Sequence, residues 1–428
     1  VYGVERREFL KLAGVGLVGL AVGYGAGYLT SPPREVPVEA PRRFKTLWIY
    51  VGPITDIGWT AAHHEGRGYV EERFGGLVEA KFIEEVSEAE ARKVIESELT
   101  KEKYDAVFAT SYGFKHAVKE LARDFKDVKF YHCSGEFEEF QDLPNVTTYF
   151  AEFYQLYYLN GIAAGAVTET CRVGYVPAFL IPEVVRHINA FAIGAVHGAK
   201  LMGKCGDGEK LEVYVTPPLK SWFAPDAAAA STRHLVTRYN VDVVAFTEDS
   251  TAVLDVAEEY QDKGVKVYSF SHYSNMYEYY LKIGKRLKSH LTGQIADWGP
   301  IYEYLLARLM AGVFIKEDIW ARIGDFTQFR WRLPIEKSTA GQKEGAVYLA
   351  QLNTVAIPAK ALNEIKRLYE DMKELMFEPF TGPLRGYKID FDGRPQEEPK
   401  LKVEPGYRLG RSELWYMDWF YEKIISPA

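Results

Sequence analysis

The chain has 428 residues, 47% of them apolar and 26% charged, and a formal charge of −7. That composition excludes a disordered chain and leaves room for one large core or, more readily, two of ordinary size. Its 52 basic residues are spread among 59 acidic ones, so no phosphate-tracking surface is marked and no nucleic acid is expected as a partner.

The first segment, ERREFLKLAGVGLVGLAVGYGAGYL, sets Glu5 to Arg7 ahead of a charge-free run from Leu12 to Leu29. It resembles a twin-arginine export signal, and the run is also just long enough to remain in the bilayer as an anchor. Residues 1–30 are therefore expected to be a signal or anchor, and 31–44, rich in proline, a stiff tether. The body is expected outside the cytoplasm, held at the outer face of the cytoplasmic membrane.

From Lys45 short apolar runs alternate with helical ones. TLWIYVG predicts a strand and 61–74 a helix, VEAKFIEEV a strand and 88–99 a helix. YDAVFAT, GFKHAVKELARDF, VKFYHC, NVTTYFAEF and YQLYYLNGIAAGAV continue the rhythm. It restarts at CRVGYVPAF, with helices over 181–202, 226–239 and 250–263 between KLEVYVTP, VDVVAFTE and VKVYSF.

The fold class is α/β: two open, mostly parallel sheets covered by helices, with a ligand cleft between the C-terminal ends of their strands. HLTGQIADWGP reads as a strand returning to the first lobe. Lobe 1 is then expected to take 45–170 and about 271–297, and lobe 2 to take 171–270 and about 298–355. Residues 356–428, a long charged helix and an aromatic-dense tail, are expected to dock on the lobes.

Chemistry for bond-making is not in view. The nine histidines include no HExxH, and His63, His64 and Glu65 are adjacent on a helix, where side chains fan out by about 100° each and do not converge on a metal. No GxSxG and no GxxxxGK[ST] occurs, so neither a nucleophile elbow nor a triphosphate loop is present. No catalytic residue, metal or cofactor is expected. Cys133, Cys171 and Cys205 include no CxxC pair; small buried thiols are expected, with one disulfide as the alternative in an extracytoplasmic setting.

What recurs is a strand followed by a polar, aromatic turn: GPITDIGWT, ATSYGF, HCSGEF, TPPLKSWFAPD, FTEDS, SFSHYS and ADWGP. Trp59 and Trp222, one from each lobe, are either packed turn aromatics or the walls of a slot for a planar ligand. Asp56, Asp249 and Asp297 are either caps of turns or acceptors for a ligand's amino and hydroxyl groups.

VGPITDIGWT, FATSYGF, IPEVVRHINAF, KSWFAPD, DWGP, EPFTGP and MDWFYEKI, in this order over roughly 45–425, resemble the basic membrane protein family of ABC-transporter substrate-binding proteins, the Med or PnrA-like group. The resemblance implies a type I periplasmic-binding fold that closes on a purine base or nucleoside, here adenine or adenosine, and delivers it to ABC permease subunits in the membrane. By motif, it implies that Trp59 and Trp222 stack on the base. Asp56, Tyr112, Phe114 and Glu183 would line the pocket, and Asp249, His272 and Asp297 would make polar contacts.

Overall fold

The structure, a computed structural model, describes residues 42–327 and 345–426. The expected export signal and most of the expected tether lie outside the described residues. No helix among them is long and apolar enough to cross a membrane.

The first lobe follows the predicted alternation. Strands β1 (Phe44–Ile49), β2 (Val78–Ile83), β3 (Ala106–Ala109), β4 (Lys129–Cys133) and β5 (Val146–Ala151) are interleaved with helices α1 (Trp59–Phe74), α2 (Ala91–Lys101) and α3 (Lys115–Asp124). All their pairings are parallel. The central strands β3 and β5 are buried along their whole length, as expected where helices cover both faces of a sheet, while β2 at the edge alternates buried and exposed residues. Trp48 of β1 stacks on Phe108 of β3 with ring centroids 4.2 Å apart, which anchors the centre of the core.

Helix α4 (Phe153–Val167) then leads into the second lobe, built from β6 (Arg172–Val176), α5 (Pro182–Leu201), β7 (Glu212–Val215), α6 (Pro225–Tyr239), β8 (Val243–Phe246), α7 (Ala252–Asp262), β9 (Ser269–Tyr273), α8 (Met276–Lys282) and β10 (His290–Ala296). Strands β7, β6 and β8 form a parallel sheet, and a bridge from Val243 to Tyr268 links it to β9 and β10.

The expected lobe assignment changes here. The segment HLTGQIA forms β10, which pairs in parallel with β9 and stays in the second lobe. The chain returns to the first lobe one element later. Helix α9 (Gly299–Met310) packs on α1, and β11 (Asp318–Ala321) extends the first sheet beside β5. Every residue of β10 is buried, so the strand has no exposed face to mark its place and fits either sheet equally well. Strand β12 (Val347–Leu349) pairs antiparallel with β10, so the stretch 298–355 is shared between the lobes.

Helix α10 (Ala359–Lys373) packs on α4, and β13 (Leu384–Lys388), β14 (Lys400–Val403) and β15 (Trp419–Tyr421) form a small antiparallel sheet. Between β14 and β15 lies the short helix α11 (Arg411–Trp415). Strand β16 (Ile424–Ile425) adds in parallel to β7 and covers that edge of the second lobe.

Helix α4 packs along α5 and against β10 within the second lobe. Every residue of α4 is buried, and each helix contributes two glycines four residues apart, Gly161 and Gly165 against Gly194 and Gly198. Their backbones come so close that a Cβ on any of the four would lie 1.9–2.2 Å from a carbonyl oxygen of the other helix.

A disulfide joins Cys171 to Cys205, with Cα atoms 5.5 Å apart, and Cys133 is a free, buried thiol. The expectation of three thiols is thus replaced by its alternative, a bond suited to an oxidising compartment. Cys171→Ser is expected to lower the unfolding free energy by about 2 kcal/mol, because the unfolded chain regains the freedom of the closed loop. Urea denaturation of oxidised and reduced protein measures this, and identical midpoints would contradict it.

Candidate functional site

The turns at the C-terminal ends of the strands converge between the lobes. Four non-glycine residues there take left-handed backbone angles: Ile57 (φ 59°), Ser134 (61°), Lys220 (59°) and Tyr273 (57°). Each such residue costs about 1–3 kcal/mol, and the cost tends to be tolerated where a side chain must be aimed. Ile57 and Lys220 each precede a tryptophan by two residues, and Ser134 and Tyr273 both reach Glu183.

Trp59 opens α1. Just ahead of it, buried Asp56 holds the helix start: Oδ1 accepts from the Gly58 and Ala61 amides at 2.8 and 2.9 Å, and Oδ2 from the Thr60 amide at 2.9 Å. Burial pushes this carboxyl up to about 6, against the pull of those three donors. The Trp59 indole Nε1 donates to the Thr110 carbonyl at 2.6 Å, and its ring meets Tyr273 edge-on at 4.8 Å. Trp222, from the second lobe, is half-buried beside Phe179 at 4.7 Å.

Asp249 ties the two tryptophans together. Its backbone amide donates to the Trp222 carbonyl at 2.8 Å, and its Oδ1 accepts from the Trp59 amide at 3.3 Å. Burial first, and then the neighbouring carboxyls of Asp56 and Glu248, push its titration well above the usual carboxylate range. Glu183, in the first turn of α5, accepts from Ser134 Oγ at 2.5 Å and from the Tyr273 hydroxyl at 3.1 Å. Burial pushes it upward too, while Ser134, Arg186 and Tyr273 draw it down.

These groups enclose a cavity lined by Val51, Trp59, Ser111, Tyr112, Ser134, Glu183, Trp222, Asp249 and Tyr273. Its volume is only about 20 Å³, the space of a single water. The lobes are drawn together by hydrogen bonds across the cleft: Ser134 to Glu183, the Trp59 amide to Asp249, and the Ser274 hydroxyl to the Ile57 carbonyl. Gly58 passes so near the Asp249 backbone that a Cβ would lie 2.7 Å from its carbonyl oxygen. A planar ligand can enter only if the lobes part and these hydrogen bonds are exchanged for contacts to it.

Of the residues singled out in the sequence, Trp59, Tyr112, Glu183, Trp222 and Asp249 meet at this cavity. The other four are placed elsewhere. Asp56 sits behind Trp59 as a helix cap. Phe114 is fully buried in the core beneath the first sheet. His272 lies behind Asp249, its Nε2 3.6 Å from Oδ1 and its Nδ1 engaged by Tyr157 and Gln294. Asp297 lines a separate groove of about 210 Å³ between α1 and α8.

Sequence reasoning did not single out Val51, Ser111, Ser134 or Tyr273, although the last three lie in the turns ATSYGF, HCSGEF and SFSHYS. The signal was the turn itself; which residue faces inward depends, at Ser134 and Tyr273, on left-handed backbone angles that Ser and Tyr seldom adopt. The histidine pair diverges as expected: His63 stacks on Trp298 at 4.4 Å, while His64 meets Phe82 at 4.7 Å. Among the described residues no group of His, Cys, Asp and Glu could hold a metal ion.

Two α/β lobes around a cleft that is lined by aromatics and closes across buried carboxyls define a type I periplasmic-binding fold, that of ABC-importer solute-binding proteins. A family model described as ABC transporter substrate-binding protein, PnrA-like, matches residues 45–323, and the chain belongs to that family. Members of the family bind solutes for transport across a membrane and are not enzymes.

A purine-binding protein of Brucella abortus (strain 2308) is 29% identical over 352 residues, covering 81% of this chain and 86% of that protein. A Haloferax volcanii protein named as an ABC-transporter glucose-binding protein is 29% identical over 273 residues, 64% of this chain and 63% of its own length. Among solved structures, a solute-binding protein of Aeropyrum pernix K1 superposes with a TM-score of 0.60 at 15% identity, over 78% of this chain and 91% of that one. A transcriptional activator of the comK gene from Bacillus halodurans gives 0.55 at 20% identity, over 77% and 96%. These two likenesses speak to the fold.

Proposed function

We propose that the protein captures a purine, adenine or adenosine in preference to others, in the cleft between Trp59 and Trp222 and presents it to an ABC permease. The observation that carries this reading is the pair of buried carboxyls, Glu183 and Asp249, set among four aromatic rings in one slot. Aromatic walls accept a flat heterocycle by stacking, and the purine-binding relative from Brucella abortus supports the ligand class.

The carboxyls favour an amino-purine. A neutral carboxylic acid offers one donor and one acceptor side by side, as an Asn amide does, and the N6/N7 edge of adenine offers the complement. Both acids are pushed toward the neutral form by burial.

In the proposed cycle the lobes part, the base stacks against one tryptophan, and the second lobe closes to pair its polar edge. Closure is driven only by the difference in affinity between closed and open forms, and the closed form is the one that docks on the permease. The N-terminal segment would export the body and tether it at the outer face of the cytoplasmic membrane. Calorimetric titration of the purified protein with adenine, adenosine, guanosine, inosine and glucose tests the reading. Adenine or adenosine is expected to bind most tightly. No affinity for any purine at millimolar ligand would sink the proposal, and binding of glucose alone would replace it.

A further inference from the structure

A second polar cavity, of about 450 Å³ and sharing no residue with the cleft, opens where α4 begins. Its walls come from the start of α4, from β11 and the residue after it, from the residues that follow α10, and from α11 with the turn before it. The last two lie beyond the residues matched by the family model. Strands β5 and β11 both end here, and the Glu152 amide, just past β5, donates to the Ala321 carbonyl of β11 at 2.8 Å.

One wall carries acceptors. Glu152 precedes α4 and Gln155 lies in its first turn, its amide donating back to the Glu152 carbonyl at 3.4 Å, which brings the two side chains to one side. Glu378 is fixed on this wall by the Tyr154 hydroxyl at 3.0 Å and the Phe380 amide at 3.1 Å. Gln155 is only 2% exposed, and its Oε1 has no hydrogen-bond partner among the described residues. An unmet buried acceptor is destabilising, and a ligand that brings it a donor removes that cost. Burial, and then the Glu378 carboxyl, push Glu152 up to about 8, although Arg322 and Arg186 draw it down. Two acids crowded in this way gain from a cation set between them.

A second wall carries donors. Arg411, ion-paired with Asp318, lays its guanidinium over the Trp320 ring at 4.2 Å. Its Nη1 and the Trp320 Nε1 are likewise buried without a hydrogen-bond partner among the described residues. Two such donors match the oxygens of a carboxylate. Phe377, Leu409 and Leu414 complete the lining with apolar surface.

We propose that this cavity is a second binding site, for a small zwitterion of the α-amino-acid kind with an apolar side chain. Its ammonium sits on Glu152, Glu378 and Gln155 Oε1, its carboxylate on Arg411 Nη1 and Trp320 Nε1, and its side chain against Phe377 and the two leucines. A simple amine would leave the donor wall unmet, and a simple carboxylate would face the two acids.

Calorimetric titration of the full chain with L-leucine and L-phenylalanine, and with phenethylamine and phenylpropanoate as analogues that keep one charge each, tests the site. Both amino acids are expected to bind, and the analogues to bind about 10-fold more weakly or worse. Glu152→Gln is expected to weaken the amino acids by about 10-fold or more, and Trp222→Ala, on the wall of the cleft, to leave their affinity unchanged. Gln155→Met keeps the side-chain volume and removes the unmet acceptor, so it should withstand urea at least as well as the wild type yet bind amino acids more weakly. A merely structural role for Gln155 would not separate those two readouts. No saturable binding of either amino acid at millimolar concentration overturns the inference. So does phenethylamine binding as tightly as phenylalanine, or amino-acid binding that is lost in Trp222→Ala and kept in Glu152→Gln. Should Glu152→Gln not fold, undiminished binding in Gln155→Met overturns it equally. No purine enters these titrations, so their outcome is separate from that of the proposed function.

Discussion

Gly165→Ala is expected to destabilise the protein by about 3 kcal/mol or more, the upper range for overpacking, measured as a lower midpoint of urea unfolding. The added Cβ would sit 1.9 Å from the Ala195 carbonyl oxygen and 2.7 Å from the Ala199 amide nitrogen. Neither is the end of a flexible side chain, so relief requires α4 and α5 to move apart along their contact. Propensity works the other way, since alanine in a helix interior is favoured over glycine by about 1 kcal/mol. A clash with the backbone of a fully buried helix outweighs it. The contrast is Gly68→Ala in α1, where a Cβ meets nothing within 4 Å. There only the propensity remains, and a gain of about 0.5–1 kcal/mol is expected. If both variants shift stability alike, the close approach of α4 to α5 is not a steric constraint on the second lobe.

That helix pair also marks where the sequence could be read and where it could not. YQLYYLNGIAAGAV announces a buried helix because it is apolar all round, but its glycines look like weak points until α5 brings Gly194 and Gly198 against them. The two-lobed α/β rhythm was legible from hydrophobic period alone. The membership of β10 was not, because pairing is a long-range choice that a uniformly buried strand leaves open. At the site, Trp59, Trp222 and Asp249 were legible as candidates because large aromatics and acids recur in the short turns at strand ends. Phe114 shares its turn with Tyr112 yet points into the core, since the two are two positions apart in a 3₁₀ turn, where each residue rotates its side chain by about 120°. Asp56 shows the same ambiguity: three amides of its own helix claim both of its oxygens.

Asp249→Ala is expected to weaken adenine binding by about 10–100-fold, the worth of one bidentate edge contact, whereas Asp249→Asn stays within a few-fold of the wild type. The asparagine amide reproduces the neutral acid's donor and acceptor, and its oxygen can still accept from the Trp59 amide. The pH dependence follows from the direction in which burial moves Asp249. Its titration is raised in the folded protein, so below that midpoint the acid is neutral and can donate to a ring nitrogen while accepting from the amino group. As pH rises through the midpoint the proton is lost, the donor disappears, and a carboxylate faces an acceptor; affinity for adenine must fall. Stability falls earlier, from the usual carboxylate range up to that midpoint, where the unfolded chain has already released a proton that the folded chain retains. Asp56 adds its own loss of stability between the usual carboxylate range and about pH 6. In Asp249→Asn this share of both slopes should vanish. Isothermal titrations from pH 5 to pH 9, on the wild type and both variants, read the outcome. Affinity that climbs with pH would mean that the ionised carboxylate is the binding form, which suits the paired donors of a 6-oxo-2-aminopurine and would exclude adenine as the preferred ligand.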